Sequence, residues 1–282
     1  LMALDNELAI VRRTLTTRSE GMALAKLRFE SGLTSATIYQ QTKVEFATTA
    51  SLVPNLERRI ETTMSALALL IGEYPGTHIR RGDIDNYMNS PAKVSIGLPS
   101  TLLERRPDVR MSEYKLRAAM AAVGISYADR FPKIAINLTA GLENDQLEHF
   151  IKSPFTYVIG SVTGPIFDFG RRKNKYRAAL AAYDQAKYGY ESAVLSAFKE
   201  TYDAVKTYQE TAKAIRLKAA LRDAALKYVE LATLQYRAGS IAYIDVLDAQ
   251  RRYFDAQIGL SNAVRDENIA LVWLYKSLGG GW

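Results

Sequence analysis

Cysteine is absent from the 282 residues, which removes disulfides, thiolate metal ligation and cysteine nucleophiles without naming a compartment. Histidine is almost as scarce: His78 and His149 stand in separate loop-like stretches, at no metal-ligand spacing. With no phosphate-binding loop and no nucleophile elbow either, the chain is expected to be no enzyme, and to carry no metal or cofactor. No run approaches the roughly 18 apolar residues that a membrane-spanning helix needs. Only eight prolines interrupt the chain, and the last is Pro165, so nothing after it but scattered glycine breaks a helical pattern.

What is present is apolar, basic and strongly periodic. Hydrophobic residues make up 48% of the chain, a globular rather than disordered content. The net charge of +7 favours anionic surroundings without choosing between nucleic acid and lipid. From Asp168 to Leu278 the pattern is that of two very long helices joined by one turn. Val194, Phe198, Thr201, Val205, Tyr208, Ala212, Ile215 and Ala219 recur at heptad spacing, the mark of a seam buried against other helices. A helix over 168–237 extends roughly 100 Å at 1.5 Å per residue, too long for the core of an ordinary domain.

The front of the chain repeats this plan. Helices are expected from Leu1 to about Glu30 and from about Ser35 to Ile71, with Gly32 at the first C-cap, Pro54 inside the second, and Gly72 with Pro75-Gly76 as its stop. Adding 207 to each number carries Leu24 onto Leu231, Ala25 onto Ala232, Phe29 onto Tyr236, Gly32 onto Gly239, Asn55 onto Asn262, Arg58 onto Arg265, Leu67 onto Leu274 and Gly72 onto Gly279. Matched turn glycines at one offset favour a duplicated helical hairpin over chance amphipathic likeness. Leu1 begins inside an apparent helix with no signal peptide before it, so the chain is expected to be a fragment lacking its front.

Between the repeats lies a Gly-, Pro- and Asn-rich stretch over 76–99, a capping box at Thr101 to Glu104, and a helix restarted by Pro107-Asp108 that runs to about Ala128. Then comes period-two alternation: Ile134, Ile136, Leu138 and Ala140 against Lys133, Ala135, Asn137 and Thr139, with a second extended run over Phe155 to Ile166. Each run matches the roughly 9–11 residues of a tilted strand crossing a bilayer in a barrel. Aromatics stand at both ends: Tyr127, Phe131, Phe167 and Phe169 at one, Phe150, Phe155 and Tyr157 at the other, as in interfacial girdles. A soluble hairpin needs a second layer, which these long helices do not offer. A spanning pair needs strands from elsewhere to close its edges.

Gly97-Leu98-Pro99-Ser100, Leu102 to Arg110, Glu113-Tyr114, Leu116 to Ala119, Phe131-Pro132, Pro165 to Asp168 with Gly170-Arg171-Arg172, and Leu274 to Trp282 together resemble TolC-like outer-membrane efflux channels of the NodT type. Phe169 stands where these channels usually carry a second glycine. The resemblance implies a mainly α fold of long antiparallel helical hairpins forming an α-barrel with coiled-coil-like packing, plus a β-hairpin contributing to a trimeric transmembrane β-barrel. Expected divisions are 1–75 for the first periplasmic hairpin, 76–130 for an equatorial linker and helix, 131–167 for the transmembrane hairpin, and 168–282 for the second periplasmic hairpin.

It further implies a homotrimer in outer-membrane lipid, extending into the periplasm and working as a passive export duct. Its partners would be a periplasmic adaptor and an inner-membrane pump, with no nucleic acid. The turns at Gly32 and Gly239 would meet the adaptor, and Ile134, Ile136 and Leu138 would face lipid. Asp245 and Asp248, three apart and so on one helix face, would line the periplasmic constriction with Tyr236 helping to hold it shut. The competing account of the aspartates is a carboxylate in a helix's first turn, complementing the dipole. Ile241 replaces an arginine found in some members. The basic cluster Arg171, Arg172, Lys173, Lys175 and Arg177 opposes its helix dipole, and could face lipid head groups, a channel lumen or water. The alternative for the whole chain is a soluble coiled-coil scaffold or membrane-binding helical module.

Overall fold

The computed structural model describes residues 1–77, 105–142, 154–164 and 166–280. Its elements are α1 (Met2–Glu30), α2 (Ala36–Leu70), α3 (Pro107–Ala128), β1 (Lys133–Leu142), β2 (Pro154–Thr163), α4 (Arg171–Arg237) and α5 (Tyr243–Ser277). The 76–99 stretch from His78 onward, the capping box at Thr101 to Glu104, His149 and Phe150 lie outside the described residues. The chain forms two compact units, one of residues 1–96 with 201–276 and one of 97–200 with 277–282, and α4 runs through both.

In the first unit α1 packs on α2 as an antiparallel hairpin, and the duplication is visible atom by atom. Both α2 and α5 are 35 residues long, and their bounds differ by the same 207 that relates the sequences. Gly32 and Gly239 take φ of 72° and 75°, a left-handed conformation that only glycine adopts without cost. Around each, the amide three residues past the helix bonds back five residues, Leu33 to Arg28 (2.8 Å) and Ser240 to Gln235 (3.0 Å). This is the Schellman closure. Arg58 donates to Asn55 at 3.1 Å, and Arg265 to Asn262 at 2.9 Å, the same contact in each copy.

The core of this unit is a seam. Val11, Arg18 and Ala25 are buried at sevenfold spacing on α1, as are Thr42, Thr49 and Leu56 on α2. On α4, Thr201 is buried and Val205, Tyr208, Ala212, Ile215 and Ala219 are half-buried. Phe198, expected on that seam but lying in the second unit's part of α4, is exposed, and its neighbour Ala197 is buried instead, because a helix of 3.6 residues per turn drifts against a strict seven-residue repeat. Helix α2 continues through Pro54.

In the second unit β1 and β2 form an antiparallel pair and the whole of a two-stranded sheet. Strand β2 ends at Thr163, short of the expected Ile166. Gly164, just beyond, lies so close to Pro132 that a Cβ there would come within 3.1 Å of the ring. Ile134 faces Val162 and Leu138 faces Val158, so Ile134, Ile136, Leu138, Val158 and Val162 share one face, while Ile159 and Tyr157 lie on the other beside Asn137 and Thr139. At the far end the Phe155 ring lies over Gly141, in the space a side chain there would need. No helix among the described residues is long and apolar enough to cross a membrane.

Candidate functional site

Two places carry the sequence's candidates: the paired helix tips in the first unit and the strand pair in the second. At the tips, buried Ala232, Val246 and Ala249 hold Val229, Tyr236, Ile241 and Tyr243 around them. Tyr236 packs on Tyr243 with ring centroids 5.1 Å apart, and the Arg28 guanidinium stands over Tyr236 at 5.9 Å. Burial, then the neighbouring Tyr236, raises the Tyr243 phenol above its usual range. Ile241 belongs to this apolar packing. The cation beside Tyr236 comes from α1 of the first repeat.

Asp245 and Asp248 share one face of α5, and each has a local partner. The Asp245 carboxylate accepts from the Ala242 amide at 3.1 Å, reaching back to the start of its own helix. In the first repeat the matching bond runs forward, from the Ile38 amide to the Ser35 hydroxyl. Each copy holds one half of a capping box. Asp248 accepts from Arg252 Nε at 2.7 Å, one turn on, and holds that guanidinium above its usual range.

Sequence reasoning missed two ionic centres. Arg18, buried among the seam residues, donates to the Glu45 carbonyl at 2.9 Å, pairs with the Glu45 carboxylate at 2.9 Å and stands over the Phe254 ring at 5.5 Å. Arg251 holds the other Glu45 oxygen at 3.2 Å. Burial lowers the Arg18 pKa, and Glu45 opposes the shift. The sole mark in the sequence is its place in the seven-residue slot between Val11 and Ala25, which a solvent-facing cation could equally occupy. In the second unit the Arg106 guanidinium, 8% exposed, reaches Asp108 and Glu200 at 2.6 Å each and the Ser277 carbonyl at 3.3 Å. Its hydrogen bond pulls the Asp108 carboxyl below the usual range, and Asp108 in return raises the Arg106 pKa. The same corner is tight at Gly279 (φ 73°), where a Cβ would come within 3.1 Å of the Arg105 backbone.

On the strand pair, Ile134, Ile136 and Leu138 are 76%, 74% and 69% exposed, and Val158 and Val162 on the same face about as much. Neither outer edge of the sheet is paired among the described residues. At its base Tyr127 packs on Phe131 and Tyr176, while Arg130 lies over the rings of Tyr127 and Tyr176 at 5.6 Å from each. Phe167 and Phe169 project fully into the surroundings. Among the described residues no group of His, Cys, Asp or Glu could hold a metal ion.

A family model described as outer membrane efflux protein matches residues 98–280. The solvent efflux pump outer membrane protein SrpC of Pseudomonas putida is 31% identical over 278 residues, taking in 98% of this chain and 59% of SrpC. The outer membrane protein OprJ of Pseudomonas aeruginosa is 33% identical over 282 residues, taking in 98% of this chain and 58% of OprJ. The chain therefore spans less than two thirds of these relatives' length. Among solved structures, the outer-membrane channel OprN aligns with TM-score 0.89 and 26% identity, covering 100% of this chain and 64% of OprN. CusC aligns with TM-score 0.87 and 25% identity, covering 99% of this chain and 66% of CusC.

Proposed function

The chain belongs to the outer membrane efflux protein family, and from that premise we propose that it is the greater part of one protomer of a passive export duct. The duct crosses the outer membrane as a trimeric β-barrel and extends into the periplasm as an α-barrel. The observation that carries this reading is the strand pair: ten-residue strands with one apolar face exposed and both edges unpaired among the described residues, together with a helix of 67 residues. A strand of ten residues rises about 34 Å, or about 24 Å along the normal at a 45° tilt, close to the roughly 25 Å apolar band of outer-membrane barrels. Unpaired amides cannot remain in lipid, so strands from the rest of the protomer and from further protomers close the wall. Exposed Ala178, Ala181 and Ala182 on α4 offer the small surface on which helices of neighbouring protomers can approach closely.

The helix tips take the periplasmic end. The turns at Gly32 and Gly239 meet an adaptor, which links the duct to an inner-membrane pump, and three copies of Asp245 and Asp248 ring the constriction beside Tyr236. Because Arg252 offsets Asp248, the field of the ring falls mainly on Asp245. Single-channel recording on the full-length protein tests both levels. Conductance in planar bilayers is expected of the duct, and its absence would favour the scaffold. Asp245→Asn keeps the carbonyl acceptor for Ala242 while removing the charge, and is expected to lower cation selectivity more than Asp248→Asn. Equal selectivity in both variants and the parent removes the aspartates from the constriction.

A further inference from the structure

The first two turns of α4 hold more positive charge than the fold uses. Asp168 caps the helix, accepting from the Gly170 amide at 3.1 Å and the Arg172 amide at 3.2 Å, so the backbone donors there are already engaged. Asp129, at the end of α3, takes up Lys175 at 2.7 Å, and its main-chain carbonyl accepts from the Arg172 guanidinium. Arg171, Lys173 and Arg177 are exposed and have no ion partner among the described residues. Lys173 and Arg177 lie one turn apart on one face, a like-charge spacing that weakens a helix, and all three oppose its dipole. Nothing inside the element favours them.

Their surroundings are ordered as a membrane boundary is. The apolar strand face ends at Ile134 and Val162, 76% and 72% exposed. Next come Ile166, Phe167 and Phe169, at 91%, 87% and 101% exposure, in the chain immediately before the cations. Hydrocarbon, aromatic and cation follow one another, the sequence in which a polypeptide leaves a bilayer rich in acidic head groups. We propose that the base of the strand pair is a binding surface for anionic phospholipid of the leaflet on the helical side. Arg171, Lys173 and Arg177 take the phosphates while Phe167 and Phe169 enter the acyl boundary. The inference rests on the membrane-spanning reading of the strands.

The test reconstitutes the full-length protein in nanodiscs of phosphatidylcholine, alone or with one part in five phosphatidylglycerol, and counts lipids retained on the protein by native mass spectrometry. Near 0.1 M salt, where the Debye length is about 10 Å, phosphatidylglycerol is expected to be enriched on the native protein. The variant Arg171→Gln with Lys173→Gln and Arg177→Gln should lose that enrichment by about tenfold or more, given the usual contribution of each cation near an acidic surface. A control that removes equal charge further along α4, Lys213→Gln with Arg222→Gln and Lys227→Gln, should retain it. Indifferent retention of the two lipids, or enrichment unchanged in the first variant, overturns the proposal. If that variant instead loses its oligomeric state with enrichment intact, the cations serve a neighbouring chain and the proposal also falls. Failure to enter the phosphatidylcholine discs at all sinks the membrane-spanning reading itself, which the other arms do not address.

Discussion

Phe169 is the one non-glycine residue with positive φ among the described residues, at 49°, and Gly170 after it takes 82°. An L side chain in that region crowds its own carbonyl at a cost of about 1–2 kcal/mol. The ring makes no packing contact that offsets this cost, being wholly exposed. Phe169→Gly is therefore expected to stabilise the detergent-solubilised protein by about 0.5–1 kcal/mol, the gain reduced by the greater freedom of glycine in the unfolded chain. Urea unfolding would register it, and a loss of stability would contradict it. Arg18 poses the opposite case, a charge whose cost is met by its partners. Arg18→Ala leaves Glu45 short of a buried partner and should cost about 3 kcal/mol. Arg18→Met combined with Glu45→Leu removes both charges and should recover most of that loss in the same denaturation experiment.

At the scale of elements, the two repeats solve one capping problem by complementary means. Ser35 bonds forward from the N-cap of α2, and Asp245 bonds back to the N-cap of α5, where Ala242 stands. Ala242→Ser would complete the box in the second repeat and is expected to add about 0.5–1 kcal/mol, read as a rise in the unfolding midpoint. Turn glycines, the period-two strands and the duplicated hairpin were legible because each rests on neighbours in sequence or on a period. Arg18 was not, since a cation in a heptad slot looks like an exposed interruption until Glu45, Arg251 and Phe254 are seen to converge on it from other helices. Asp129 was hidden for the same reason: its partner Lys175 is 46 residues away. Phe198 misled because a helix seam drifts against a strict seven-residue repeat, which brings Ala197 inward in its place. The aspartates at 245 and 248 were legible as a pair. Their local partners, an amide and Arg252, were not.

At the scale of the molecule, the strand pair has two unlike faces. Ile134, Ile136 and Leu138 lie with Val158 and Val162 on one, wholly apolar, while the other is mixed, with Asn137, Ala135 and Thr139 beside Tyr157, Ile159 and Ser161. A cation at mid-bilayer on the lipid face of a barrel costs about 2–4 kcal/mol, and one on the lumen face far less. Ile136→Arg should therefore reduce the membrane-inserted fraction of the full-length protein sharply, whereas Asn137→Arg should leave insertion intact and shift conductance. Membrane fractionation and planar-bilayer recording read the two effects, and equal tolerance of both substitutions would place the strands in water.

The open sides of that hairpin also bear on how the protein is made. In the proposed duct, a ribbon whose margins are unpaired among the described residues reaches its final free energy only when further strands join it, so folding of this segment follows their arrival. On that proposal, the interval before the wall is complete is the one in which the open margins are most exposed to fibrous mispairing.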